Sequence, residues 1–144
     1  MTQPGLRQIV RDFVKGPLGC QCPDELFQKT EVLMGDNDLR IFIEQRLIVR
    51  LLPFGKKTMS ISFEQLLKIF KNGLQERDLK GFNRFRLVLL YNTEEGTKER
   101  LEHLSTKVQE AFKKTSNDDR MHIHVIDEKD VPEILKVMAG MKVQ

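Results

Sequence analysis

The chain has 144 residues, of which 40% are hydrophobic and 31% charged, and this balance excludes a disordered chain because it supplies enough apolar side chains for a core. The net charge of +3, from 24 basic and 21 acidic residues, is too even to predict a nucleic-acid or membrane surface. We therefore expect a single globular domain over residues 1–144.

The first residues and the apolar runs predict the cellular location of the protein. The chain does not open with a basic segment followed by an apolar one, so no secretory signal is expected. The longest apolar run, residues 87–91, is far too short to cross a bilayer. We therefore predict a cytoplasmic protein, in which two cysteines should be reduced, metal-bound or redox-active rather than a structural staple.

The first part of the chain is predicted to hold two helices followed by strands. Apolar residues at helical spacing indicate an amphipathic helix over residues 6–14, which Gly16 and Pro17 end. A short helix is expected from Pro23 to near Lys29. The strands are predicted at residues 31–34, 39–44 and 47–52, with turns at 35–38 and 45–46, and the last two strands should form a hairpin.

The middle of the chain is predicted to be a long helix. A loop is expected over residues 54–60. Ser62 and Gln65 then form a capping-box pattern, which indicates that the helix begins directly after Ser62. Gly73 lies inside the apolar pattern of this helix and is expected to end its regular part, leaving a short helical piece at 74–79.

The remaining elements alternate between strands and helices. The apolar run at residues 85–91 indicates a strand covered on both faces. After it come a helix capped by Thr93, a strand at 121–126, and a last helix around 131–138 that Asp127 or Asp130 caps. Residues 85–126 should form a right-handed parallel strand–helix–strand unit. The predicted fold class is α/β, a single three-layer-like domain whose mixed sheet of about four to five strands, with a hairpin, is covered by helices.

Both cysteines of the chain, Cys20 and Cys22, lie one residue apart in a Gly-Cys-Gln-Cys-Pro motif. Pro23 and the acids after it are typical of a first helical turn, and a helix N-terminus lowers the pKa of a thiol. We predict Cys20 and Cys22 as catalytic residues, with Cys22 as the nucleophile and Cys20 as the resolving thiol. A C-x-C disulfide closes a small ring and should be easily reduced, which suits exchange chemistry. In the alternative interpretation both cysteines only pack as small apolar side chains.

Metal binding is a second hypothesis for the same cysteines. His122 and His124 alternate on a predicted strand and so share one sheet face, and with Cys20 and Cys22 they could form a Cys₂His₂ zinc site. The spacing matches no zinc-finger pattern, and the simpler interpretation is that these histidines lie near solvent or make local hydrogen bonds. An iron–sulfur cluster needs four thiolates, which a homodimer could supply from two Cys20–Cys22 pairs. Zinc and a subunit-bridging iron–sulfur cluster are therefore the candidate cofactors.

Other catalytic patterns are missing from the sequence. We find no glycine-rich phosphate loop, no Gly-x-Ser-x-Gly motif and no pair of acids that stands out for glycosidase chemistry. His103 and the lysine pairs at 56–57 and 113–114 are interpreted as solvent-exposed. We expect an unidentified protein partner or a homodimer, and neither nucleic acid nor membrane.

Residues 18–27, with the pattern Gly-Cys-x-Cys-Pro-x-x-x-Phe, resemble a motif of short prokaryotic proteins of unassigned function. The resemblance implies a small cytoplasmic protein of a family without an established activity. The C-x-x-C site of thioredoxins is similar in that it precedes a helix, but here the spacing is C-x-C and a helix comes before it. The sequence thus predicts thiol–disulfide exchange or metal binding, with a non-enzymatic interaction module as the alternative.

Overall fold

The computed structural model describes residues 5–35, 38–53, 60–92 and 97–141, which contain four α-helices and five strands. The elements in chain order are α1 (Leu6–Lys15), a first 3-10 helix (Asp24–Gln28), β1 (Thr30–Gly35), β2 (Asp38–Ile43), β3 (Leu47–Leu52), α2 (Phe63–Lys80), β4 (Arg84–Tyr91), α3 (Lys98–Thr115), β5 (Met121–Asp127), a second 3-10 helix (Glu128–Asp130) and α4 (Glu133–Met138).

The five strands form one mixed sheet in the order β1-β2-β3-β4-β5. β1, β2 and β3 are antiparallel neighbours, whereas β3, β4 and β5 run parallel to one another. In the hairpin of β2 and β3, Ile43 pairs with Leu47, and Glu44 in the turn has a φ of 53°. The predicted α/β class, its mixed sheet, the hairpin and the parallel strand–helix–strand unit are all confirmed.

Helices cover the sheet on both faces. On the face that we call the α2 face, α2 and α3 pack against the parallel strands through side chains that include Phe70 and Phe112. On the opposite face, called the α1 face, α1 and α4 pack through side chains that include Phe13 and Leu135. Since successive side chains of a strand point to opposite faces, the buried strand β4 contributes to both cores, as its apolar sequence predicted.

Helix α2 runs without a break through Gly73, so the prediction that its regular part ends there is wrong. A Cβ atom at this position would lie 2.4 Å from Cζ of Phe85. The ring of Phe85 is fully buried and packs edge-on against the ring of Phe70, with the two ring centroids 6.4 Å apart. Gly73 therefore marks a close approach of α2 to β4. The capping box is confirmed, because Ser62 and Gln65 exchange side-chain to backbone hydrogen bonds of 3.1 and 2.9 Å.

The start of the last helix differs from its prediction. The Asp127 carboxylate accepts a hydrogen bond from the backbone N–H of Lys129 and so caps the second 3-10 helix, in which Asp130 also lies. Helix α4 begins only at Glu133, after Pro132. Pro132 separates the two helical segments because it lacks the N–H that a continuous helix would use.

Some predicted features lie outside the described residues: the cap at Thr93, the turn residues 36–37 and the loop residues 54–59. Within the described ranges, no helix is both long and apolar enough to cross a membrane.

Candidate functional site

The cysteine loop, residues 18–23, lies on the α1 face directly after α1. The backbone N–H of Cys20 donates a 3.0 Å hydrogen bond to the carbonyl oxygen of Val14, which ties the loop back to the end of the helix. Gly19 has a φ of +67°, a left-handed conformation that glycine adopts without steric cost. Leu18 is buried in the core of this face. The loop is therefore fixed on the amino-terminal side of the first cysteine.

Cys20 and Cys22 are joined by a disulfide, with their Cα atoms 5.5 Å apart. Both residues are partly exposed and pack against the apolar cluster of the α1 face, while Gln21 between them is exposed. The disulfide thus lies at the border between core and solvent. An outside thiol must have such access to a sulfur if it is to exchange with it.

The helix predicted after the cysteines is a 3-10 helix of five residues, Asp24–Gln28, and Pro23 precedes it instead of forming its first turn. So short a helix has little macrodipole, and it gives weak support to the predicted effect on a neighbouring thiol. Its first acid, Asp24, pairs with Lys15 of α1. The hydrogen bond and charge of Lys15 lower the pKa of the Asp24 carboxyl.

A cavity of about 410 Å³ lies beside the disulfide. It is lined by the cysteine loop and by the amino ends of β3 and β4, which contribute Arg46, Asn83, Arg84 and Arg86. Among the described residues that line it, none is acidic. Since arginine keeps its charge at any pH that a folded protein meets, the cavity presents positive charge next to the two sulfurs.

Arg86 connects the cysteine loop to β5. Its Nη1 donates a 2.7 Å hydrogen bond to the carbonyl oxygen of Leu18 and lies 3.0 Å from Nε2 of His124. Its Nε is buried and has no hydrogen-bond partner among the described residues. Burial and the charge of Arg84 lower the pKa of Arg86. Because buried donors are generally paired, Arg86 retains an unused donor.

His122 and His124 point to the α1 face, and in the parallel register they lie opposite Arg86 and Val88. Burial, Arg86 and His122 lower the pKa of His124 to about 4. Burial, Arg86 and Arg84 also lower the pKa of His122. Since a guanidinium can only donate, Nε2 of a neutral His124 accepts from Arg86 and its proton lies on Nδ1.

The structure places the four predicted zinc ligands on one sheet face without joining them in a ligand group. In the described part of the chain, no set of three or more His, Cys, Asp or Glu side chains is arranged to hold a metal ion. Cys20 and Cys22 are bonded to each other, and His124 contacts the guanidinium of Arg86. A positive charge at that point opposes a second cation. Zinc and an iron–sulfur cluster stay predictions.

Three residues of this site, Arg46, Arg84 and Arg86, were not predicted from the sequence. A signal for Arg86 was present, because it is the single charged residue in the run of residues 85–91. A charged side chain on a strand that is covered on both faces needs a partner or a cavity. Arg46 and Arg84 are exposed, and nothing in their local sequence separates them from other surface arginines.

No family model, curated protein or solved structure matches this chain. The resemblance of residues 18–27 to short prokaryotic proteins stays a prediction. Any functional conclusion therefore depends on the chemistry of the site itself.

Proposed function

We propose that the protein carries out thiol–disulfide exchange at Cys20 and Cys22, in the cytoplasm. The observation that carries the proposal is a partly exposed cysteine pair beside a cavity lined by three arginines. Thiolate is the reactive form in exchange, and nearby positive charge stabilises it. The same charge makes a zinc site at these cysteines the weaker hypothesis.

In the reduced protein, the Cys22 thiolate attacks one sulfur of a substrate disulfide. The substrate S–S bond breaks, a mixed disulfide forms at Cys22, and the other substrate sulfur leaves as a thiolate. The Cys20 thiolate then attacks the Cys22 sulfur, releases the second substrate thiolate and closes the Cys20–Cys22 bond. The protein loses two electrons and the substrate gains them, and the reverse sequence reduces the protein with two substrate thiols.

The charged groups around the cysteines favour a low thiol pKa. Three of them, Arg46, Arg84 and Arg86, line the same cavity. The nearby acid Asp24 is already paired with Lys15, so it opposes thiolate formation little. His122 and His124 are neutral at pH 7 because their pKa values are lowered, and they add no charge.

Single-cysteine variants test the proposal. In Cys20→Ser the remaining Cys22 should react with iodoacetamide with an apparent pKa below the ordinary thiol value of about 8.5, because the arginines stabilise its thiolate. The measurement is the alkylation rate as a function of pH, and Cys22→Ser gives the matching value for Cys20. The same variants unfolded in urea are the control and should titrate near the ordinary value. Reaction only near the ordinary pKa in both folded variants would show that neither thiol is activated.

The packing of both cysteines against the apolar cluster supports a second candidate, a non-enzymatic interaction module with a protein partner or a second copy of the chain. The Cys20→Ser/Cys22→Ser double variant separates the two. It must lose all exchange with a model disulfide if the leading proposal holds. A wild-type protein that exchanges no faster than an unfolded reference would leave the interaction module as the better explanation.

A further inference from the structure

We propose that the reactant of the Cys20–Cys22 pair is a small thiol, or its disulfide, that carries a carboxylate near the sulfur and is held by the arginines of the adjoining cavity. This inference rests on the proposed exchange function and names its substrate class.

The size of the cavity suits a small molecule. Its volume of about 410 Å³ lies within the range of roughly 300–1,000 Å³ that is typical of small-molecule sites. Cys20 and Cys22 form one wall, and the other walls come from the amino ends of β3 and β4. A ligand bound there would have its thiol beside the disulfide while its other groups contact the strand ends.

The charge of the cavity suits a carboxylate. In the described part of the chain, none of the ion pairs involves Arg46, Arg84 or Arg86. Other arginines are neutralised, as Arg50 is by Asp38 at 2.8 Å and Arg40 by Glu76 at 3.1 Å. Guanidinium groups bind carboxylates through two parallel hydrogen bonds. The cavity therefore combines unpaired cations with a shape in which an anion can reach them.

Arg86 adds a specific argument. Its Nη1 is already used, because it donates to the Leu18 carbonyl and lies against His124, but its buried Nε has no partner among the described residues. A buried donor without an acceptor costs free energy, and Arg86 lines the cavity, where its charge would attract a carboxylate. Asn83, which also lines the cavity, accepts a hydrogen bond from Arg120 at Oδ1, and its amide N–H groups can donate to a second polar group of the ligand.

The reaction consumes two molecules of the thiol. The thiolate sulfur of the first forms a bond to one cysteine sulfur, the Cys20–Cys22 bond breaks, and the other cysteine leaves as a thiolate. A second substrate thiolate attacks the bound substrate sulfur, the mixed disulfide bond breaks, its cysteine leaves as a thiolate, and the substrate disulfide is released. Both cysteines end as thiols, with the protons that the two substrate thiols gave up, and two electrons pass from substrate to protein.

The test is the rate at which thiols of different charge reduce the oxidised full-length chain. The probes are 3-mercaptopropionate, which carries a carboxylate, 2-mercaptoethanol, which is neutral, and cysteamine, which is cationic. Rates are expressed per thiolate and divided by those for a small reference disulfide, which removes intrinsic differences between the thiols. At low salt we expect the anionic thiol to exceed the neutral one by on the order of tenfold, with the cationic thiol slowest, and the preference should shrink as salt rises.

Arg84→Gln and Arg46→Gln each remove one exposed charge from the cavity and should lower the anionic-to-neutral ratio several-fold. The ratio is used because loss of an arginine also affects the leaving thiolate, and that effect is common to all thiols. Lys107→Gln is the matched control, since it removes one exposed positive charge from α3 on the opposite face of the sheet. It should leave the ratio unchanged. Circular dichroism confirms that each variant is folded.

The outcomes separate this inference from the proposed function. Exchange with all thiols at equal corrected rates, unaffected by Arg84→Gln and Arg46→Gln, would overturn the anionic substrate and leave the exchange function standing. No exchange faster than the reference disulfide with any thiol would overturn the function itself.

Discussion

The burial of His124, beside Arg86, makes the stability of the protein depend on pH. Burial, Arg86 and His122 lower the pKa of His124 from 6.5 to about 4 in the folded protein. The unfolded chain therefore binds a proton at a higher pH than the folded one. Stability should be full above pH 6.5, fall as the pH drops toward 4, and change no further below it on account of this group. The loss is on the order of 3 kcal/mol, and the lowered pKa of His122 acts in the same direction.

His124→Gln should reduce this loss. Glutamine keeps an acceptor for Nη1 of Arg86 but does not titrate, so the free energy of unfolding should depend less on pH between 6.5 and 4. Urea unfolding at several pH values measures it. His103→Gln, on the exposed surface of α3, is the matched histidine removal and should keep the wild-type profile. An unchanged profile in His124→Gln would show that another group is responsible.

At the residue scale, local patterns predicted orientation but not partners. The alternation of His122 and His124 along a strand was enough to assign both to one face. The contacts of Arg86 could not be predicted in this way, because they join residues that are 68 and 38 positions apart in the chain. The cysteines were found from their spacing alone, whereas the positive cavity beside them is formed only by the fold.

Gly73→Ala should destabilise the protein, although alanine is the better helix former. Alanine at a helix position gains about 1 kcal/mol over glycine. The new Cβ, however, would lie 2.4 Å from Cζ of Phe85, a fully buried ring held against Phe70. Overpacking of this kind costs about 1–3 kcal/mol, so after the helix gain we expect a net loss of up to about 2 kcal/mol in urea unfolding.

Two further variants isolate the cause at Gly73. Asn72→Ala changes an exposed neighbour in the same helix and should gain a few tenths of a kcal/mol from helix propensity alone. Phe85→Leu should remove much of the clash, so that Gly73→Ala costs less in that background than in the wild type. A Gly73→Ala protein more stable than wild type would mean that α2 moves away from β4 at little cost.

At the scale of elements, boundaries with one clear local signal were predicted correctly, and boundaries without one were not. The capping box of α2 is a signal within four residues of sequence, and the strands of the β2–β3 hairpin follow from their composition. Gly73 was misinterpreted as a helix end, because the requirement for a glycine there comes from the ring of Phe85 on β4 and not from the helix itself. The start of α4 was misplaced because a 3-10 helix and Pro132 intervene after the capping aspartate.

In the whole molecule, the α1 face depends on the last helix. Leu135 of α4 is fully buried in the core of that face, whereas its neighbour Ile134 is 44% exposed. Leu135→Ala should therefore cost about 2–5 kcal/mol, the range for truncating a buried leucine. Ile134→Ala, in the same helix, should cost less than 1 kcal/mol. Urea unfolding of both variants is the comparison, and equal small costs would show that α4 adds little to the fold.

The α/β class followed from the order of elements, but the arrangement of the layers did not. Strand–helix–strand units have one preferred hand, so α2 and α3, which each join neighbouring parallel strands, must lie on the same face of the sheet. The rule of handedness assigns both helices to one face only when β3, β4 and β5 are neighbours in that order, and this order was not evident in the sequence. The opposite face was left to α1 and α4, elements from the two ends of the described chain.

This division between the two faces has a consequence for the protein while it is being synthesised. The buried residues of the α2 face lie between Ile48 and Ile123, so that core is complete before α4 leaves the ribosome. The α1 face still lacks Val131, Leu135 and Ala139 at that moment. The cysteine loop is synthesised early and therefore lies on the face whose core is still incomplete in the nascent chain. We therefore expect its sulfurs to be more accessible before the last helix closes that core than afterwards.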